Sequence, residues 1–462
     1  MVQRNPHQRF SHLNRRRFLQ AVAATGTLAG AGALLDACGG AGSGGGSTGA
    51  ASTETVTLNV MYNKAELLPA QVALFEKLNP TIKIKQVEYD ATVLSSMLAA
   101  GNPLDFVRTQ GAPAIPNTAA RGLATDLTEY FAKSTVLKES DLMPVNDVYR
   151  WDGHVEGQGP RYGMAKDWSQ DAMFWYNKKL FDQAKVPYPS ATTPMSYDDL
   201  LALGKRLTVR DNGKIKAYGL DVIYGFTTQA HLMQMLAQRG KSLWNEDYTQ
   251  ADLTSDDALA AIKWYVDWAQ AHVGPSPLDP DTNGSDGLFA ADREAISLWG
   301  YWFGGALYAK YNNTLPDNVG FAPAPQFGST PVNACFAGTG AWIPAKSQHK
   351  DEAWKFFEFF LGGPPAHDRV KTGFGLPALK SLLPELPQGT PAQKAAYDVE
   401  QAALPHQTVL HFSPYISDDA FEASFKQYIE PVFKDQADLK NAATQLQVAI
   451  NRLAQQGKQQ IS

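Results

Sequence analysis

Cysteine is almost missing from this chain: Cys38 and Cys335 are the two in 462 residues. That is too few for an internal disulfide framework. Long apolar runs are missing too. Past the first 37 residues no segment reads as the ~20 apolar residues that a spanning helix needs. Positive charge is not in excess: the net charge is −5, and the first 37 residues hold five Arg and one Asp, which leaves the remainder near −9. A nucleic-acid partner is therefore excluded, since phosphate binding needs a basic footprint. Catalytic signatures are lacking as well. There is no H-E-x-x-H, C-x-x-C, G-x-S-x-G or P-loop, and the nine His, among them His231, His272, His406 and His411, show no metal-ligand spacing. D-P-D-T-N-G (279–284) begins like a calcium loop, but Ala290 stands where the bidentate Glu is required. No cofactor or metal is expected. A secreted carbohydrate-active hydrolase would rest on export and aromatic content alone, so the chain reads as a non-enzyme.

What is present begins with a leader. N-R-R-R-F-L-Q (14–20) precedes an apolar stretch rich in Gly and Ala (21–35), and then A-C-G-G around Cys38. A basic start, a short apolar run and a small-residue processing site make an export signal over 1–37. Arg15 and Arg16, followed by Phe18 and Leu19, resemble a twin-arginine signal. Leu35-Asp36-Ala37-Cys38 resembles a lipoprotein processing box, with Cys38 as the lipidated residue. Residues 38–55 carry the Gly/Ser stretch of a flexible tether, whose reach is ~20 Å. The expected place is outside the cytoplasmic membrane, held there by lipid.

About 408 residues follow, enough for two or three domains. T-V-T-L-N-V-M-Y (55–62), I-K-I-K-Q-V-E-Y (82–89) and L-D-F-V-R-T (104–109) read as strands. Helical spacing runs over Glu66–Leu78, ended by Asn79-Pro80, and over Thr92–Ala100, closed by Gly101. This alternation predicts an α/β fold with a mostly parallel sheet. Ligands bind at the carboxyl ends of such strands, which singles out Tyr62-Asn63-Lys64, Tyr89-Asp90 and Arg108-Thr109-Gln110. Trp264 and Trp268, four apart, and the Trp354–Phe360 run read as core. So does Cys335.

F-E-K-L-N-P-T-I-K-I-K and L-A-A-G-N-P-L-D-F-V resemble the opening of the family 1 extracellular solute-binding proteins. These are the sugar-binding receptors of ABC importers, similar in plan to maltose-binding protein. Further resemblance lies in Y-G-M-A-K-D-W-S-Q-D-A-M-F-W-Y-N-K-K-L-F-D (162–182), L-F-A-A-D-R-E-A-I-S-L-W-G-Y-W (288–302), the G-T-G-A-W-I-P-A-K-S return segment and T-G-F-G-L-P-A-L (372–379). The resemblance implies a two-lobed, periplasmic-binding-protein type II fold. Segments are exchanged between lobes, and a ligand cleft lies at the hinge. Lobe one would comprise 56–168 and 321–366, lobe two 169–320 and 367–462, with crossovers near Asp167, Val319 and Ala366. It implies a monomeric receptor that delivers a carbohydrate to ABC permease subunits. Another polar solute (a sugar acid, a phosphorylated polyol or a polyamine) or a surface scaffold or sensor stands as the alternative.

A sugar offers two apolar ring faces and a belt of hydroxyls, so flat aromatics and edge-on polar groups should converge on it. The resemblance implies an aromatic under the sugar at Trp302, a carboxylate beside the first crossover at Asp171, and closure of the site by Tyr415. Trp342 follows G-T-G-A, whose small residues permit close approach. Asn63 and Arg108 stand at strand ends. Arg108 either forks to the ligand or pairs with Asp105 or another acid. Asp90 either accepts from a hydroxyl or caps the following helix.

Overall fold

The computed structural model describes residues 55–461 except 110, 112, 113, 223 and 337. The export signal, Cys38, most of the tether and Gln110 lie outside the described residues. The described residues form one compact unit.

Among the described residues the first elements are β1 (Val56–Met61), α1 (Pro69–Leu78), β2 (Ile82–Val87), α2 (Ala91–Ala100) and β3 (Phe106–Thr109). Both β2 and β3 run parallel to β1, in the registers Val56↔Ile82 and Val60↔Phe106. Helix α1 begins three residues later than Glu66. Residues 63–67 instead form a turn in which the amides of Glu66 and Leu67 donate to the Asn63 carbonyl. Pro69 then opens the helix at a position where no amide is needed. Gly101 ends α2 in the left-handed conformation at φ 69°.

The first sheet is completed by Gly340–Trp342 and Gly163–Ala165, giving the order β2, β1, β3, 340–342, 163–165. Helix Lys350–Gly362 seals it. Phe356 and Phe360 pack edge-on against Phe106, and Phe360 also meets Tyr62. Fully burying each such ring stabilises the fold by roughly 1.5–3 kcal/mol.

A second sheet has the order Asp221–Val222, Ile296–Leu298, Phe174–Asn177, Val319–Ala322. Helix Asp256–Gln270 packs in this half through Trp264 and Trp268, whose indoles donate to the carbonyls of Tyr197 and Leu220. The C-terminal helices Asp418–Phe433 and Leu439–Ile461 pack on that helix. All four residues of Val319–Ala322 pair with Phe174–Asn177. The division drawn at 320/321 from the sequence thus falls inside a continuous strand. Cys335 lies in the core, where its Sγ accepts from the Gly338 amide.

The chain passes between the sheets near residues 166–173, 323–339 and 363–390. Two of these passages touch: Asp167–Trp168 pairs antiparallel with Leu376–Pro377, and the Trp168 indole donates to the Pro377 carbonyl at 2.9 Å. Gly375, at φ 80°, lets the second strand come this close, because a Cβ there would lie 2.9 Å from the Asp167 Cβ.

Candidate ligand-binding site

A cavity of about 410 Å³ opens where the carboxyl ends of β1 and β3 meet the crossover and the second half. Its walls come from several stretches of chain. Glu66 and Arg108 descend from the first sheet, Asp167 and Asp171 lie on the crossover, and Trp299 and Trp302 come from the second half.

Charge is concentrated on the first-sheet side. Arg108 grips Glu66 with Nε at 2.9 Å and Nη2 at 2.7 Å, and Lys166 reaches the other carboxylate oxygen at 2.6 Å. Burial pushes the Glu66 carboxyl up, but Lys166 and Arg108 outweigh it and hold the group at about 2. Asn63 donates to the same carboxylate at 2.9 Å. Lys166 also pairs with Asp167 at 2.9 Å, and the other Asp167 oxygen accepts from the Thr339 hydroxyl at 2.7 Å. Arg108 Nη1 is buried and donates to no acceptor. Arg108 is thus paired, but with Glu66 and not with Asp105. Asp105 instead accepts from the Asn59 amide and the Ser347 hydroxyl.

The opposite side is aromatic. Trp299 and Trp302 meet at 5.4 Å with planes 73° apart, and Phe374 leans on Trp302 at 5.8 Å. The Trp299 indole donates to Asp221 at 2.8 Å. Gly300 makes this wall possible. It sits at φ 66°, and a Cβ would come within 2.4 Å of the Ser169 hydroxyl and 2.8 Å of the Asp171 Cα. The Trp302 amide donates to that same hydroxyl at 3.3 Å. The Asp171 carboxylate in turn accepts from the Phe336 amide at 2.6 Å.

Of the residues expected from sequence, Arg108, Asp171 and Trp302 come together on this cavity. Asn63 stands one step behind, orienting Glu66. Asp90 caps α2, accepting from the Val93 amide at 2.9 Å. Trp342 is 2% exposed within the first sheet's core, since its strand is flanked on both sides by β3 and 163–165. Tyr415 packs under Lys458, 5.7 Å from its ring, against the tight approach of Gly457 in the last helix. These last three do not line the cavity. Glu66, Phe226 and Phe374 line the cavity without a sequence signal that points to it, and Asp167, expected as a crossover residue, lines it too. Apolar spacing runs the helix through Glu66, but it starts at Pro69, and Trp299 shares the loop of Trp302 and lines the same cavity. Within D-P-D-T-N-G, Asp279 receives the His272 ring at 2.6 Å and Asp281 its neighbour Asn283.

Residues 39–362 match the family of bacterial extracellular solute-binding proteins. The mannitol-binding protein of Pseudomonas aeruginosa is 23% identical over 316 residues, 66% of this chain and 69% of that protein. The fold matches an ABC substrate-binding protein of Listeria monocytogenes in complex with cycloalternan. The TM-score is 0.71 at 24% identity, over 86% of this chain and 99% of that one. A maltose/maltodextrin-binding domain of Bdellovibrio bacteriovorus bound to maltotriose matches with a TM-score of 0.67 at 18% identity, over 86% and 99%. The two sheets, the returning crossovers and the cavity between them are this two-lobed α/β architecture, and the chain belongs to the bacterial extracellular solute-binding protein family.

Proposed function

We propose that this protein is an extracytoplasmic receptor that binds a neutral carbohydrate between its lobes and presents it to an ABC importer. The observation that carries the reading is the wall of Trp299 and Trp302 facing Glu66, Arg108, Asp167 and Asp171 across one cavity. Indole faces suit the apolar faces of a pyranose, and the carboxylates and guanidinium suit its hydroxyls. Trp302 is the stacking platform, Asp171 and Asp167 accept hydrogen bonds from sugar hydroxyls, and Arg108 stands at the wall beside Glu66. Because Glu66 answers the charge of Arg108, the cavity favours a neutral sugar over an anion. The cavity's partners on both lobes would draw the lobes together, so that ligand shifts the population toward the closed form. Lobe one is taken as 56–168 with 338–386, because Ala378, Lys380 and Ser381 bond to residues 140–146; lobe two is taken as 169–336 with 387–461, because Pro325, Val332 and Ala334 bond to Gln234 and Gln238. Cys38 would carry the lipid that keeps the receptor at the membrane, where a weak contact with the permease suffices. The residues perform no covalent step in this scheme.

A receptor for a sugar acid or a phosphorylated polyol is the second reading, drawn from the Arg108 guanidinium in the cavity wall. Thermal-shift screening separates the two. A ligand at about 100-fold excess over its Kd raises stability by roughly 3 kcal/mol. Neutral mono- and oligosaccharides should give that shift. A shift with sugar phosphates or uronic acids alone would move the substrate to the second reading, and no shift with any solute would remove both.

A further inference from the structure

A second cavity, of about 480 Å³, adjoins the first. It lies in the second half, between the 275–285 loop and helix Asp418–Phe433, and Asp221, Tyr224, Pro277, Asp281, Lys426 and Glu430 line it. Two features connect it with the ligand cavity. Trp299 lines both, and the 224–227 turn places Tyr224 in the second cavity while Phe226 and Thr227 face the first. The partition is therefore one indole and one turn, not a layer of core.

That partition is aromatic, and part of it is bare. Phe226 is 42% exposed. Trp299 is fixed in place by its bond to Asp221 and by packing on Phe303, at 6.0 Å with planes 27° apart. Trp302 and Trp299 meet ring to ring, Phe226 lines the same cavity, and Trp299 carries that aromatic wall into the second cavity. We propose that the second cavity is an extension of the ligand site, which receives the further units of a neutral oligosaccharide whose end unit lies against Trp302. This rests on the carbohydrate reading above and adds chain length to it. The chemistry of the walls fits. The carboxylates of Asp221, Asp281 and Glu430 are acceptors whose first partners are, respectively, Ser285 and Trp299, Asn283 and Arg293, and Tyr224; their remaining lone pairs suit hydroxyls and oppose a negatively charged extension. The one cation, Lys426, is engaged by the Gly225 carbonyl at 3.1 Å. Pro275, Pro277 and Pro280 stiffen the facing loop, so that little conformational freedom is lost when a ligand settles there.

The test is calorimetric titration of the purified protein with two ladders: mannose, mannobiose and mannotriose, and glucose, maltose and maltotriose. In the ladder that binds, the trisaccharide should bind at least tenfold more tightly than the monosaccharide. Pro277→Trp, which fills the second cavity, should abolish that gain and leave monosaccharide affinity within twofold. Glu430→Gln, a change on a half-buried helix position that spares the loop, should reduce the trisaccharide gain severalfold with the monosaccharide again unaffected. A monosaccharide that binds as tightly as its trisaccharide overturns the extension and leaves the carbohydrate reading standing. So does a full gain retained in either variant. If no member of either ladder binds, the carbohydrate reading falls and the extension with it.

Discussion

The Glu66 carboxylate and the Lys166 ammonium meet at 2.6 Å although they stand 100 positions apart in the chain. The contact ties the turn after β1 to the crossover, and Arg108 closes it from the other side. Every member is largely buried: the side chains of Glu66, Arg108 and Lys166 are 13%, 7% and 1% exposed. Such a cluster holds its shape because each charge answers another.

Glu66→Ala should therefore be costly. It leaves two buried cations without their shared anion, a change worth about 3–5 kcal/mol. Urea unfolding should show that loss, and ligand affinity should fall with it, because Arg108 is then unanchored. A variant with unchanged midpoint would mean that the cluster is not closed in solution.

Acid should unlock the same cluster. The Glu66 group is held at about 2 against an ordinary 4.5. Its pairing contributes stability above about pH 4.5, and that contribution is lost as pH falls from there toward 2. Wild type should lose more stability over that window than Glu66→Gln. Parallel slopes for the two proteins would contradict the assignment.

Glu400 has the opposite sign. It is buried beside Gln170, which donates to it at 2.6 Å, and burial raises it from 4.5 to about 8. Between those values the folded state keeps a proton that the unfolded state has lost. Stability is thus highest below pH 4.5 and declines as pH rises to 8, by about 1.4 kcal/mol per unit. Glu400→Gln should remove this slope and gain at least about 2 kcal/mol at pH 8. A variant no more stable than wild type at that pH would refute it.

Trp302→Ala should weaken ligand binding by at least about 2 kcal/mol, roughly 30-fold in Kd. Trp342→Phe should leave affinity within a factor of about two and show its cost in unfolding, since Trp342 is core. A reversal of the two phenotypes would move the stacking platform.

Gly300→Ala tests the wall from its backbone. The left-handed φ of 66° and the 2.4 Å approach to Ser169 should cost about 1–3 kcal/mol and displace Trp302. Wild-type affinity in this variant would show that the wall does not need that turn.

The opening β-α-β-α-β of the first sheet was legible because period-2 strands, Asn79-Pro80 and Gly101 are local signals. Arg108 was legible by its place at a strand end. Asp171 and Trp302 came only from resemblance to a family plan. Glu66 was hidden because Pro69 sets the helix start, and apolar spacing alone runs on through 66. Trp342 misled because small residues before it signal close approach, but the approach is to neighbouring strands. Tyr415 and Asp90 misled for a related reason: a loop position says that a side chain is free to serve a ligand, not that a neighbour has left it unclaimed. The Glu66–Lys166 contact and the Asp167–Trp168 pairing with Leu376–Pro377 depend on partners too distant in sequence for any spacing rule.

The short pairing of Asp167–Trp168 with Leu376–Pro377 joins two jobs in one place. Asp167 and Trp168 both line the cavity, and both belong to the strand pair where the passages between lobes touch. Any tilt of one lobe against the other must alter the surroundings of Trp168, and Trp299 and Trp302 lie on the same cavity. Intrinsic tryptophan emission should consequently report occupancy and lobe angle together. A label-free titration should therefore follow binding without any added probe.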